Sequence, residues 1–192
     1  MMKDIDVVDL ILLDHQYLKE CIEILTKENS EKRKKLSTAR DFLDALAKHS
    51  LAEKKSIYTP LESHPELHFN ILEAQVEHGI VDKKVRLIKR RLAHARILHD
   101  EVEAELKVLA EIVRHHLKEE ESEFLPKLRE EIEDEALRTM GARFMRLRKF
   151  EKGELSQMPH LEEELIQWKD SVQKISSLFL KKMDRYVENL KH

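Results

Sequence analysis

The sequence predicts an all-α fold: an up-down-up-down four-helix bundle with a C-terminal helical extension. Helix-favouring Leu, Ile, Glu, Lys and Ala dominate, and 192 residues contain only three glycines and four prolines. Apolar positions recur at helical spacing. The breaks between the periodic runs are short, which makes consecutive helices antiparallel neighbours.

The first helix runs from about residue 4 to 28, with Val8, Ile11, Leu18, Ile22 and Leu25 on one stripe, and leaves through "NSEK". The second, about 31–62, carries Leu36, Leu43, Leu46 and Ile57 and ends in "SHPEL". The third, about 66–98, is more polar; Ile71, Gln75, His78, Asp82 and Val85 share a face. Asp100 with Glu103 resembles an N-cap and its reciprocal acid. The fourth helix then runs to about Glu133 through Leu109, Ile112, Val113 and Phe124, and Pro126 is expected to kink or break it. Residues 1–133 form the bundle and 134–192 the extension. The extension comprises a fifth helix over "DEALRTMGARFMRLRKFEKG" and a long helix after Pro159. Leu161, Leu165, Trp168, Val172, Ile175, Phe179, Met183, Tyr186 and Leu190 form a near-heptad stripe, suited to packing on the bundle or on a second copy of the chain.

Composition excludes several classes. A formal net charge of −3 gives no electrostatic case for nucleic acid. One cysteine, Cys21, excludes an internal disulfide, fits a reducing compartment, and reads as a small core residue between Leu18 and Leu25. No apolar run approaches the length of a membrane span, and "MMKDIDVVDL" lacks the basic-then-apolar order of a signal peptide. A cytoplasmic protein without membrane or nucleic-acid partners is expected. The basic run "DKKVRLIKRR" lies mostly off the core face and reads as solvated; His64 and His68 flank Pro65 in a turn. No nucleophile constellation or glycine-rich phosphate loop is visible.

The chemistry lies in histidines followed four residues later by an acid. A helix presents such a pair on one face, but in an acid-rich chain the pattern is cheap. It occurs at His49/Glu53, His78/Asp82, His99/Glu103, His115/Glu119, His116/Glu120 and His160/Glu164. Two filters separate these. His15, His49 with Glu53, and His116 with Glu120 continue the apolar stripes of their helices, and His78 with Asp82 does so more weakly; His115 points away, and His99 and His160 lie near helix starts. The second filter is level, since facing residues of an antiparallel hairpin are equidistant from the turn. His15 and His49 average to about 32, beside "NSEK"; the pairs 49/53 and 78/82 to about 65, at Pro65; 78/82 and 116/120 to about 99, beside Asp100. Four helices thus bring polar residues to one interior layer. Burying these groups unpaired costs several kcal/mol each, so a metal cluster is the natural compensation, with a hydrogen-bonded polar layer as the bland alternative. Mixed imidazole and carboxylate ligands suit iron, with manganese or zinc as substitutes. Glu53 and Glu120 on opposed helices suggest bridging and a dinuclear site.

The order His15, then "HSLAE" at 49–53, then His78, then "HLKEE" at 116–120 resembles the hemerythrin-like (HHE cation-binding) domain. "HHLKEEESEFLPKLRE" is similar to that family's usual fourth-helix ending, and "HSLAEKKSIYTPLE" is a looser second-helix counterpart with one extra residue before Pro60. The resemblance covers roughly residues 5–130. It implies a non-haem di-iron centre, oxo- or hydroxo-bridged, held by His15, His49, Glu53, His78, His116 and Glu120. The oxygen-carrying members place a second histidine where this chain has Asp82, and they space the fourth-helix pair by five. Asp82 is therefore a seventh candidate ligand, direct or through water, and reversible oxygen carriage becomes doubtful. The pattern looks more like members that sense iron or oxygen, handle nitric oxide or peroxide, or donate iron for cluster repair. The repair proteins add an N-terminal cysteine-containing segment, and this chain opens directly on its first helix.

The resulting expectation is a di-iron protein that binds, senses or reduces a small oxidant, a diatomic or a peroxide. Ile11, Leu46, Ile57, Ile112 and Phe124 would exclude water. The alternatives are an iron-responsive module whose C-terminal helices engage a partner, with residues 161–190 as a candidate homodimer face, and a metal-free helical interaction protein.

Overall fold

The computed structural model describes residues 5–150, all helix and connecting turns. The stripe at 161–190 lies outside them. Helix α1 spans Val7–Thr26, α2 Lys32–Glu53, α3 His68–Leu92, α4 Asp100–Glu119 and α5 Asp134–Arg148. The first four are antiparallel in sequence and close a ring: α1 packs on α2 and α4, and α3 on α2 and α4. Helix α5 lies across the α1–α2 edge.

Local chemistry fixes the ends. Asp6 caps α1 by accepting from the Asp9 N–H at 3.0 Å, while Asp9 accepts from the Asp6 N–H at 3.2 Å, a reciprocal box satisfying two otherwise orphaned donors. Arg129 clamps both acids, reaching Asp6 at 3.0 Å and Asp9 at 2.6 Å. The cap expected at Asp100 is absent. His99 stands at the N-cap without a side-chain bond, and Asp100 is the first helical residue, its carboxylate taken by Lys32. Gly141 lets α5 approach the start of α1: a Cβ there would lie 3.1 Å from the Val7 nitrogen.

Helices α2 and α4 do not stop at their acids. Each passes into a π-helical turn, Lys54–Tyr58 and Glu120–Phe124, before short α-helical ends at Thr59–Leu61 and Leu125–Glu131. The register change is explicit, since Thr59 N–H bonds Lys54 O and Leu125 N–H bonds Glu120 O, five residues back. Pro60 and Pro126 follow one residue later. Instead of a kink or break, the widened turn absorbs Pro126.

Two apolar clusters fill the bundle. One gathers residues such as Leu18, Leu25, Phe42, Val85 and Leu109; the other gathers Val8, Ile57, Ile71, Phe124 and Phe144. Cys21 is buried in the first. Among the described residues no helix is long and apolar enough to cross a membrane.

Candidate metal centre

Between the clusters lies a polar layer. His15, His49 and Glu53 are at most 1% exposed, and Glu120, His78 and His116 at most 7%. Their ligand atoms converge in two groups, His15 with His49, Glu53 and Glu120, and Glu53 with His78 and His116, each within 4.8 Å. The rings pair likewise: the His15 and His49 centroids are 5.1 Å apart, those of His78 and His116 4.7 Å.

The carboxylates connect the two imidazole pairs. Glu53 Oε2 lies 3.0 Å from His49 Nε2 and 3.5 Å from His78 Nε2. Glu120 Oε2 lies 3.4 Å from His15 Nε2 and 3.6 Å from His116 Nε2. Every imidazole turns Nε2 inward, and the Nε2 atoms of His78 and His116 approach to 2.9 Å. Three of the four Nδ1 atoms are engaged outward: His15 with Glu121 at 2.9 Å, His49 with Asp14 at 3.0 Å, and His116 with Glu77 at 2.6 Å. Such outer carboxylates fix ring orientation and leave the inner nitrogen as the ligand. Two are themselves anchored. Lys19 grips Glu121 at 2.6 Å, and Arg148, buried at the end of α5, donates Nε to Asp14 Oδ2 at 2.6 Å. Tyr58, in the first π turn, donates its hydroxyl to Glu120 Oε1 at 2.8 Å.

The electrostatics follow from burial and crowding. Burial opposes charge on His49, but Glu53 and Asp14 outweigh it and lift the imidazole to about 10. Burial and the neighbouring His116 push His78 down to about 3. Burial, then Glu120, raises the Glu53 carboxyl, whereas His15 and His116 overcome burial and hold Glu120 well below the usual range. Burial and Glu120 raise the Tyr58 phenol, so at neutral pH it stays a donor.

The donor set passes a direct test of fit. His15 Nε2, His49 Nε2, both Glu53 oxygens and Glu120 Oε2 are buried without a well-aligned hydrogen-bond partner among the described residues. Unpaired buried polar atoms are costly, and all five belong to one layer, where a cation bound to deprotonated imidazoles and carboxylates answers every one of them.

Asp82 falls outside both groups. It is half-buried one turn beyond His78 and lines a separate cavity beside that ring. His115 and His99 are exposed, and His115 pairs with Glu119; His160 lies outside the described residues. His64 and His68 make no metal group among the described residues, and His68 faces the Glu62 carbonyl. Of the water-excluding residues, Ile11, Leu46, Ile57 and Phe124 are buried, but Ile112 is 37% exposed, at the edge of the α4 stripe that Leu106, Leu109, Val113 and Leu117 occupy. Sequence reasoning missed Asp14, Tyr58, Glu77, Glu121 and Arg148. Three of these acids adjoin a named site residue (Asp14 with His15, Glu77 with His78, Glu121 with Glu120), a signal available in the sequence; nothing there marks Arg148.

A four-helix bundle with four imidazoles and two carboxylates buried in its middle is, in class, a cation-binding helical protein. The hemerythrin HHE cation binding domain matches residues 6–128. The chain belongs to that family. No match was found among curated proteins or among solved structures.

Proposed function

We propose that the layer holds two metal ions, iron in preference, and that the protein binds, senses or reduces a small oxidant such as oxygen, peroxide or nitric oxide. The observation that carries this is the placement of Glu53 and Glu120. Each lies between one imidazole of the His15/His49 pair and one of the His78/His116 pair. A single ion would leave one pair without a role. Mixed nitrogen and carboxylate ligands suit iron, with manganese or zinc as substitutes. When bound, such a pair of irons supplies electrons to, or a binding position for, a small oxidant.

The chain's own residues would act around it. Glu121, Asp14 and Glu77 orient three imidazoles, Tyr58 offers a proton-bearing hydroxyl beside Glu120, and the two apolar clusters bound the layer on either side. Asp82 belongs in this reading to the surroundings of His78, outside the ligand set. One observation also favours a sensing role: Arg148 ties the end of α5, where the chain continues into the C-terminal segment, to Asp14 and through it to His49.

Metal analysis of protein from iron-supplemented cells tests the reading. About two ions per chain are expected, falling sharply in His116→Ala and Glu53→Ala and unchanged in His115→Ala. A folded wild type that takes up only traces of metal under reducing, iron-rich conditions ends it.

A further inference from the structure

Two openings reach the layer from opposite sides of α3, and they differ in charge. The cleft between α3 and α4, about 160 Å³, has His116 and Glu120 among its walls and is lined by Glu73, Glu77, Glu119 and Glu123. The cavity between α2 and α3, about 210 Å³, is walled by Ser50, Tyr58, Gln75, His78, Gly79 and Asp82, with Lys54 balancing the one acid. The His78 Nδ1 atom is buried and has no hydrogen-bond partner among the described residues, alone among the four imidazoles in lacking an outward acceptor there.

Gly79 is the second observation. It lies in the interior of α3, where glycine is unfavourable relative to alanine. No glycine among the described residues has a positive φ, and a Cβ at position 79 would meet nothing within 4 Å. Neither backbone conformation nor close packing requires it, in contrast to Gly141. What glycine supplies at this wall is room.

The geometry points to the α2–α3 cavity as the entry and holding chamber for the small oxidant, with Gly79 keeping it open. This rests on the reading that the layer holds metal. The chamber suits a molecule of a few heavy atoms: a water occupies about 30 Å³ of liquid, and drug-sized pockets begin near 300 Å³. Its lining admits neutral or anionic species, whereas the five carboxylates of the other cleft disfavour anions.

The test uses the full chain loaded with iron, and azide as a small anionic probe followed by stopped-flow absorbance. The series Gly79→Ala, Gly79→Met and Gly79→Phe fills the chamber progressively, and Asn70→Trp places bulk at the opposite cleft, which Asn70 also lines. Metal content should match wild type throughout. Azide association should be unchanged in Asn70→Trp, slightly reduced in Gly79→Ala, further reduced in Gly79→Met, and slower by roughly tenfold or more in Gly79→Phe. If Gly79→Phe does not fold, Gly79→Met carries the test. A metal-loaded, azide-binding protein indifferent to size at residue 79, or slowed instead by Asn70→Trp, overturns the inference. A wild type without metal overturns the function proposed above, a distinguishable failure.

Discussion

Replacing Arg148 with methionine tests whether α5 is part of the centre or merely lies on it. The guanidinium and the Asp14 carboxylate are both fully buried and bonded at 2.6 Å, and Asp14 in turn engages His49 Nδ1 at 3.0 Å. Methionine keeps most of the apolar stem but leaves Asp14 a buried charge with one cationic neighbour lost. Breaking a buried pair in this way costs roughly 3–5 kcal/mol. For a domain of this size that corresponds to about 10 °C in Tm. Asp14→Asn should cost a comparable amount by stranding Arg148. The double variant should cost well under the sum, with a coupling of about 2–3 kcal/mol. Chemical denaturation of chelator-treated protein measures all three. On metal-loaded protein, loss of the anchored acceptor behind His49 should weaken metal affinity about tenfold or more, with partial rescue by Arg148→Lys. A cost for Arg148→Met below about 0.5 kcal/mol, typical of surface substitutions, or additivity in the cycle, refutes the linkage.

Two further outcomes are expected. Tyr58→Phe keeps the ring contacts with His78 and Phe124 but removes the donor to buried Glu120 Oε1; metal content should persist while stability of the metal-free protein falls by about 1–3 kcal/mol, and unchanged denaturation would refute it. Metal binding should release protons, because in the metal-free protein Glu53 and Asp14 lift His49 to about 10, so the proton it carries at neutral pH must leave before ligation. Apparent affinity should therefore rise with pH, and calorimetry in buffers of different ionisation enthalpy should count about one proton or more per chain; zero would contradict it.

The inner six residues were legible because two independent constraints, helix face and distance from the turn, act on the same side chains. Asp82 satisfied both constraints and still fell outside the groups. Side chains on a helix lean toward its N-terminus, so Glu53 and Glu120 reach back to the level of the histidines one turn earlier. Aspartate is a methylene shorter and at position 82 is only half-buried. The outer layer was less legible for a different reason. Glu77 and Glu121 resemble the many acids of a chain with 38 of them, and only the rotamers of His116 and His15 select them. Arg148 contacts a residue 134 positions away through a helix whose placement across α1 and α2 no local pattern encodes.

The paired π turns carry a consequence for how the chain tolerates change. A residue added to a helix advances everything beyond it by about 100°, and a π turn is the local means of accommodating one. Below Glu53 and Glu120 the helices therefore run in a different angular phase from the portions above. Beyond the junctions Tyr58 and Leu61 on one helix, and Leu125 and Leu128 on the other, are buried in that shifted phase beside Ile57 and Phe124. Deleting one residue between Glu53 and Pro60 would leave the first His-Glu pair intact in sequence while turning Tyr58 and the lower stripe away from the interior. Length in these two short segments is thus constrained more tightly than identity, and lysines 54 and 55, exposed and without a ligand role, matter as spacers.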